Sequence, residues 1–236
     1  MTQRPCTAIV AGIGPGLGAA LARQLAGAGY RVAGLARDPA PGDKLLAELG
    51  DEHFLPLRCD ITDAAQVDEA VGRVEAQWGP AGVYVHNAAP FHRAAFADTE
   101  PTTFESLWRT TCLGAVHGVQ RVLPGMLQAR QGTLLFIGAT ASVKAGAAFS
   151  AFGAAKFALR GLAQSLAREL GPEGIHVAHL VIDGVIWSER ARTAFGMKPE
   201  QCLDPAALAR TCLHLIEQDR SAWTLELDIR PHVESF

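Results

Sequence analysis

Short continuous runs of Val, Ile, Leu and Ala alternate along this chain with longer stretches in which apolar residues recur every three or four positions. The first pattern suits strands covered on both faces, and the second suits amphipathic helices. Strands are predicted near Thr7–Ala11, Arg31–Ala36, His53–Arg58, Gly82–His86, Gly132–Ile137, His176–Ile182 and Trp223–Ile229. Helices are predicted near Leu17–Ala28, Asp43–Leu49, Ala64–Trp78, Thr102–Ala129, Ser150–Leu170 and Pro205–Gln218. Asp63 or Thr62 offers an N-cap to the third helix, and Gly171-Pro172 stops the fifth. Regular alternation of the two element types predicts an α/β fold, a doubly wound parallel sheet of about seven strands with helices on both faces. No repeat or long linker interrupts the pattern, so residues 1–236 are expected to form a single domain.

Composition narrows the classes of function. Hydrophobic residues make up 49% of the 236, enough for a large core and too many for a disordered chain. A net charge of −3 gives no electrostatic reason to expect nucleic acid or an anionic membrane as partner. No apolar run approaches the ~18 residues of a membrane helix. The start, MTQRPCTAIV, passes into a β-like run without the apolar segment and cleavage site of a secretory signal, which predicts a cytoplasmic protein. Cys6, Cys59, Cys112, Cys202 and Cys212 contain no C-x-x-C pair, and the histidines form no H-x-x-x-H or H-E-x-x-H run. The cysteines read as small buried residues in a reducing compartment, and no metal site is expected.

The first strand runs into Gly12-Ile13-Gly14-Pro15-Gly16-Leu17-Gly18, which opens the first helix. Glycine lets a backbone turn sharply and approach a pyrophosphate, while a helix N-terminus offers free N–H groups and a positive dipole end. Gly14-x-Gly16-x-x-Ala19 matches the dinucleotide fingerprint only off-register, whereas Gly12-x-x-x-Gly16-x-Gly18 starts where the strand stops. This turn resembles the T-G-x-x-x-G-x-G of the short-chain dehydrogenase/reductase family, with Ala11 in place of Thr. The likeness continues along the chain. Cys59-Asp60-Ile61-Thr62-Asp63 resembles the segment whose Asp contacts adenine, and His86-Asn87-Ala88-Ala89 resembles the N-N-A-G turn. Lys156 matches the active-site Lys, and Asp183-Gly184-Val185-Ile186-Trp187-Ser188 resembles the P-G-x-I-x-T loop under the nicotinamide, with Asp183 where Pro is usual. The resemblance implies a Rossmann-type fold that binds a nicotinamide dinucleotide, a small-molecule substrate, and a homodimer or homotetramer paired through the Thr102–Ala129 and Ser150–Leu170 helices.

Arg37 follows the second strand, where a dinucleotide fold meets the adenosine ribose. In the family's register Ala36 takes the acidic position that would select NAD, and Arg37 the adjacent basic one. A guanidinium ~4 Å from a phosphate gains roughly 4 kcal/mol at an effective dielectric of 20, before desolvation. NADP is therefore expected over NAD, unless Arg37 is simply solvated and paired with Asp38.

The catalytic set breaks the likeness. The family uses Asn, Ser, Tyr and Lys, and of these only Lys156 is in place. The Tyr position falls on Phe152, the Ser position on Ala139 and the Asn position on Thr111. Phe152 lies four residues before Lys156, so both project from one helix face. A general acid is worth typically 10²–10⁴-fold, and a phenyl ring supplies none of it. Thr140 and Ser142, just past a strand end, are the candidate substitutes. Asp183 either donates a proton from a buried site near the nicotinamide or braces the Gly184 turn. Lys156 can bond ribose hydroxyls without any chemistry, and His92 either reaches the mouth of the site or is a surface residue. Phe91, Phe96, Phe149, Trp187 and Phe195 occupy loops expected to wall a substrate pocket, and Arg190 and Arg192 either hold an acidic substrate or face solvent. Three functions fit: an NADP-dependent oxidoreductase with a non-standard active site, a non-catalytic NADP sensor or subunit, or a non-redox enzyme on the same scaffold.

Overall fold

In a computed structural model, which describes residues 7–234, seven strands form one all-parallel sheet in the order β3-β2-β1-β4-β5-β6-β7. They are β1 (Thr7–Ala11), β2 (Arg31–Ala36), β3 (Phe54–Arg58), β4 (Val83–His86), β5 (Gly132–Ile137), β6 (Ile175–Ile182) and β7 (Glu226–Ile229). The helices are α1 (Leu17–Gly27), α2 (Ala40–Leu49), α3 (Ala64–Trp78), α4 (Pro101–Trp108), α5 (Gly114–Ala129), α6 (Ser150–Leu170), α7 (Glu189–Phe195) and α8 (Pro205–Ile216). Every residue of β1, β4, β5 and β6 is buried, as continuous apolar runs between two helix layers require. Alternate residues feed two cores. Ala8 and Val10 pack with α1 and α8, while Ile9 and Ala11 pack with α3, α5 and α6.

Most predicted boundaries hold within a few residues, and three segments differ in detail from expectation. The strand expected from Trp223 begins only at Glu226. Trp223 instead stacks on His176 at 5.0 Å, and the Gln218 side chain takes the place of a ladder partner, its Oε1 accepting from Thr224 N at 2.8 Å. The single helix expected over Thr102–Ala129 is divided by a π-helical turn, Arg109–Leu113, that carries Thr111. The segment after Ser188 holds a short helix, α7, capped by Ser188 Oγ accepting from Ala191 N. Asp63, rather than Thr62, caps α3, accepting from Ala65 N and Gln66 N.

No helix among the described residues is long and apolar enough to cross a membrane. Cys59, Cys112, Cys202 and Cys212 are free and buried, and Cys6 lies outside the described residues. Among the described residues no group of three or more His, Cys, Asp or Glu is placed to hold a metal ion.

Candidate active site

The strand order reverses between β1 and β4, and in open α/β sheets the crevice at that switch point is where ligands bind. A cleft of about 730 Å³ opens there. Its lining includes the predicted cofactor residues Gly12, Arg37, Asp60, Ile61, Asn87, Ala88 and Ala89.

Backbone builds the floor of this cleft. Gly12 has φ +102°, and a Cβ there would lie 2.6 Å from Ala88 N. A Cβ on Gly18 would lie 2.4 Å from the Gly12 carbonyl oxygen, so the start of α1 closes on the turn only because this residue is glycine. Asn87 Nδ2 donates to that same carbonyl at 2.7 Å, tying the β4 turn to the β1 turn. A Cβ on Gly14 or Gly16 would meet no protein atom within 4 Å, which leaves space above the N-terminus of α1. No side chain caps α1 and no acidic residue occupies its first turn, so the N–H groups around Leu17 and Gly18 face an approach open to an anion.

At the β2 end, Ala36 is half-buried and Arg37 is exposed. Asp38 does not pair with Arg37; its Oδ1 accepts from Ala40 N at 3.0 Å. Asp60 Oδ1 accepts from Thr62 N and Oγ1 at 2.9 and 2.8 Å, which fixes the turn that also places Ile61 in the cleft.

Side chains dominate the other end, around β5, α6 and the loop after β6. Lys156 is 4% exposed, and its Nζ donates to Ile137 O at 2.7 Å. Burial pushes its pKa down to about 7. The Nζ lies 5.8 Å from the Phe152 ring centroid, so the phenyl does project from the same helix face as Lys156. Thr140 Oγ1 donates to Asp183 Oδ1 at 2.5 Å, and Arg230 Nη2 lies 3.3 Å from Asp183 Oδ2. Both oxygens of Asp183 are thus engaged, and it braces the turn at Gly184, against which Pro231 packs. Ile186 on the same loop pairs with Leu203. Ser142 is fully buried, and its Oγ accepts from Ala139 N at 3.1 Å, so its lone pair serves the local turn.

Beneath this end His86 Nε2, Thr111 Oγ1 and His179 Nε2 lack partners among the described residues. Burial, with the nearby Lys156 charge, pushes His86 down to about 3, so its ring is neutral. Neither tyrosine is a displaced phenol. Tyr30 and Tyr84 are both buried, and Tyr84 Oη lies 3.3 Å from His86 Nδ1.

Phe91, Phe149, Phe152 and Phe195 form a connected aromatic wall, with the Phe91 ring 5.6 to 6.0 Å from the other three. Phe96 is not part of it and packs on Phe104 at 6.1 Å. His92 is half-buried, and its Nε2 has no partner among the described residues. Sequence reasoning missed Arg230, Arg93 and the inclusion of Phe152 in the wall. The spacing from Lys156 gave Phe152 its direction, but nothing local links Arg230 to Asp183.

Comparison with known proteins agrees with this geometry. The family described as short chain dehydrogenase matches residues 6–194. Momilactone A synthase of rice, Oryza sativa subsp. japonica, is 32% identical over 195 residues, covering 82% of this chain and 71% of the rice protein. A short-chain dehydrogenase from Rhodopseudomonas palustris is similar in structure with a TM-score of 0.85 and 32% identity, covering 98% of this chain and 100% of its own. A metagenomic short-chain oxidoreductase solved in complex with NADP has a TM-score of 0.84 and 24% identity, covering 99% and 100%.

Proposed function

This chain belongs to the short-chain dehydrogenase family of oxidoreductases, and on that premise we propose that it is an NADP-dependent reductase whose acceptor needs no strong acid from the protein. The observation that carries the reading is the clasp of Gly12, Gly18, Asn87 and Ala88 at the switch point. Its clearances suit a ligand bound by backbone, and the NADP complex of the metagenomic relative supports that choice of ligand. The N–H groups at the start of α1 would receive the pyrophosphate, and Arg37 the 2′-phosphate, since Ala36 offers no carboxylate to a ribose hydroxyl.

NADPH, when bound, supplies a hydride. Lys156 keeps donors beyond the one given to Ile137, and these would hold ribose hydroxyls. Phe152 presents a ring where the family places a phenol, so it packs against an acceptor and excludes water without moving a proton. Thr140 spends its hydrogen on Asp183 and has none for a substrate oxygen. This leaves an acceptor whose own conjugation takes up the electron pair, an activated double bond first and an imine or carbonyl after it. The commitment of Thr140 and the loss of the phenol also favour a second reading, a non-catalytic NADP-binding protein.

Titration with NADPH and NADH tests the cofactor assignment. NADPH is expected to bind about tenfold more tightly, and Arg37→Ala to remove the difference; equal NADPH affinity in the two proteins would refute it. Consumption of NADPH with a panel of enones, imines and carbonyls separates the enzyme from the sensor. Trp108 and Phe157 each remain 43% exposed on α4 and α6, and a second copy covering them is part of the same proposal. Sedimentation at micromolar concentration is expected to show a dimer or tetramer, and a stable monomer would contradict this.

A further inference from the structure

The aromatic wall carries protein cations over every one of its four rings. The Arg190 guanidinium lies 5.2 Å from the Phe91 centroid and 5.8 Å from that of Phe195, and the Arg93 guanidinium lies 5.7 Å from Phe149. Lys156 Nζ takes the Phe152 ring. Phe91 and Phe195 are nonetheless 41% and 45% exposed, so part of their apolar surface remains open.

Charge pairing divides the nearby groups unevenly. Arg192 is taken by Glu189 within α7, and Asp183 is taken by Arg230. Arg190 and Arg93 make no ion pair among the described residues. A guanidinium resting over a ring still presents its N–H edge, which matches a carboxylate in a bidentate way. An uncovered set of phenyl rings would attract a cationic ligand. Here each ring already has a positive group beside it, and a further cation meets like charge.

Resting on the reductase reading above, we infer that the substrate is an apolar, conjugated acceptor bearing a carboxylate or similar anion. Its apolar body lies on Phe91 and Phe195, and its anionic end is held by Arg190, with Arg93 as the second contact. Arg190 is a specificity-determining residue and takes no part in hydride transfer. The iminium class falls out of the substrate range by this charge argument.

The test is calorimetric binding to the full chain saturated with NADP⁺, using three probes of like shape. These are trans-cinnamate, its neutral ketone isostere benzylideneacetone, and the cation cinnamyltrimethylammonium. Cinnamate is expected to bind about tenfold more tightly than the ketone, as one charge-assisted bidentate contact allows. Arg190→Gln is expected to remove most of that gain, Arg93→Gln less of it, and both to leave NADP⁺ affinity unchanged. Equal or tighter binding of the ketone or the cation would overturn the inference, as would a cinnamate preference that survives in Arg190→Gln. Failure of NADP⁺ to bind would refute the reductase reading instead; the same three probes then decide the anion question on the free protein.

Discussion

At the β1 and β4 end of the cleft, binding surfaces are made by backbone, and at the β5 and β6 end they are made by side chains. The first end depends on clearances: a Cβ at Gly12 or Gly18 would overlap backbone atoms of the neighbouring turn. Few substitutions fit there, so its sequence stays close to the family pattern. The second end depends on side chains, some of which, Asp183 and Ser142 among them, also brace its turns. Phe152 packs on Phe91 in the aromatic wall, and Ala139 sits half-buried just past β5. A fold of this kind can therefore hold one end of its cleft fixed while side chains vary at the other.

The contrast can be broken at the glycines first. Gly18→Ala places a methyl 2.4 Å from the Gly12 carbonyl oxygen, an overlap that backbone must move to relieve. It is expected to cost about 1–3 kcal/mol of stability and to weaken NADPH binding by at least about tenfold. Gly14→Ala meets no protein atom within 4 Å, so its melting temperature is expected to match wild type, with any loss confined to NADPH affinity. Thermal melts paired with NADPH titration check both, and equal behaviour of the two variants would dissolve the distinction between the ends.

A smaller effect sharpens the other side. Lys156 is held near pKa 7 by burial, against 10.5 in the unfolded chain. Between those values the unfolded state binds the extra proton, so raising pH favours folding. Without cofactor, wild type should gain stability relative to Lys156→Met by up to roughly 1.4 kcal/mol per pH unit over that window. Urea denaturation at pH 7, 8 and 9 measures it, and a pH-independent difference would place the ammonium in a more solvated site.

The fold was legible because its signals are local and repeated. Apolar runs marked the strands, and the Gly12–Gly18 spacing marked the turn that leads from β1 into α1. The π-helical turn at Arg109–Leu113 was not, since a five-residue change of helical pitch leaves the apolar periodicity of α4 and α5 in place. At the β5 and β6 end, spacing from Lys156 gave Phe152 its direction but not how the neighbouring polar groups are spent. Asp183 meets Arg230 from a different strand end, and Ser142 turns back on Ala139 through a turn no spacing rule distinguishes. Nor does any local pattern show that a Cβ at Gly138 would lie 2.3 Å from His179 Nε2 on the neighbouring strand.

Hydride transfer by wild type and by the Phe152→Tyr, Ala139→Ser double variant, followed as NADPH oxidation, tests the division most directly. Two acceptors are compared. β-Nitrostyrene takes the hydride at carbon and holds the electron pair on its nitro group until water supplies a proton, whereas acetophenone needs an acid at its oxygen. Wild type should reduce β-nitrostyrene and leave acetophenone nearly untouched, and the double variant should gain at least ~10²-fold on acetophenone, the low end for a general acid. Robust acetophenone turnover by wild type, or no gain in the double variant, would show that the reacting end is not the acid-free counterpart of an intact cofactor site.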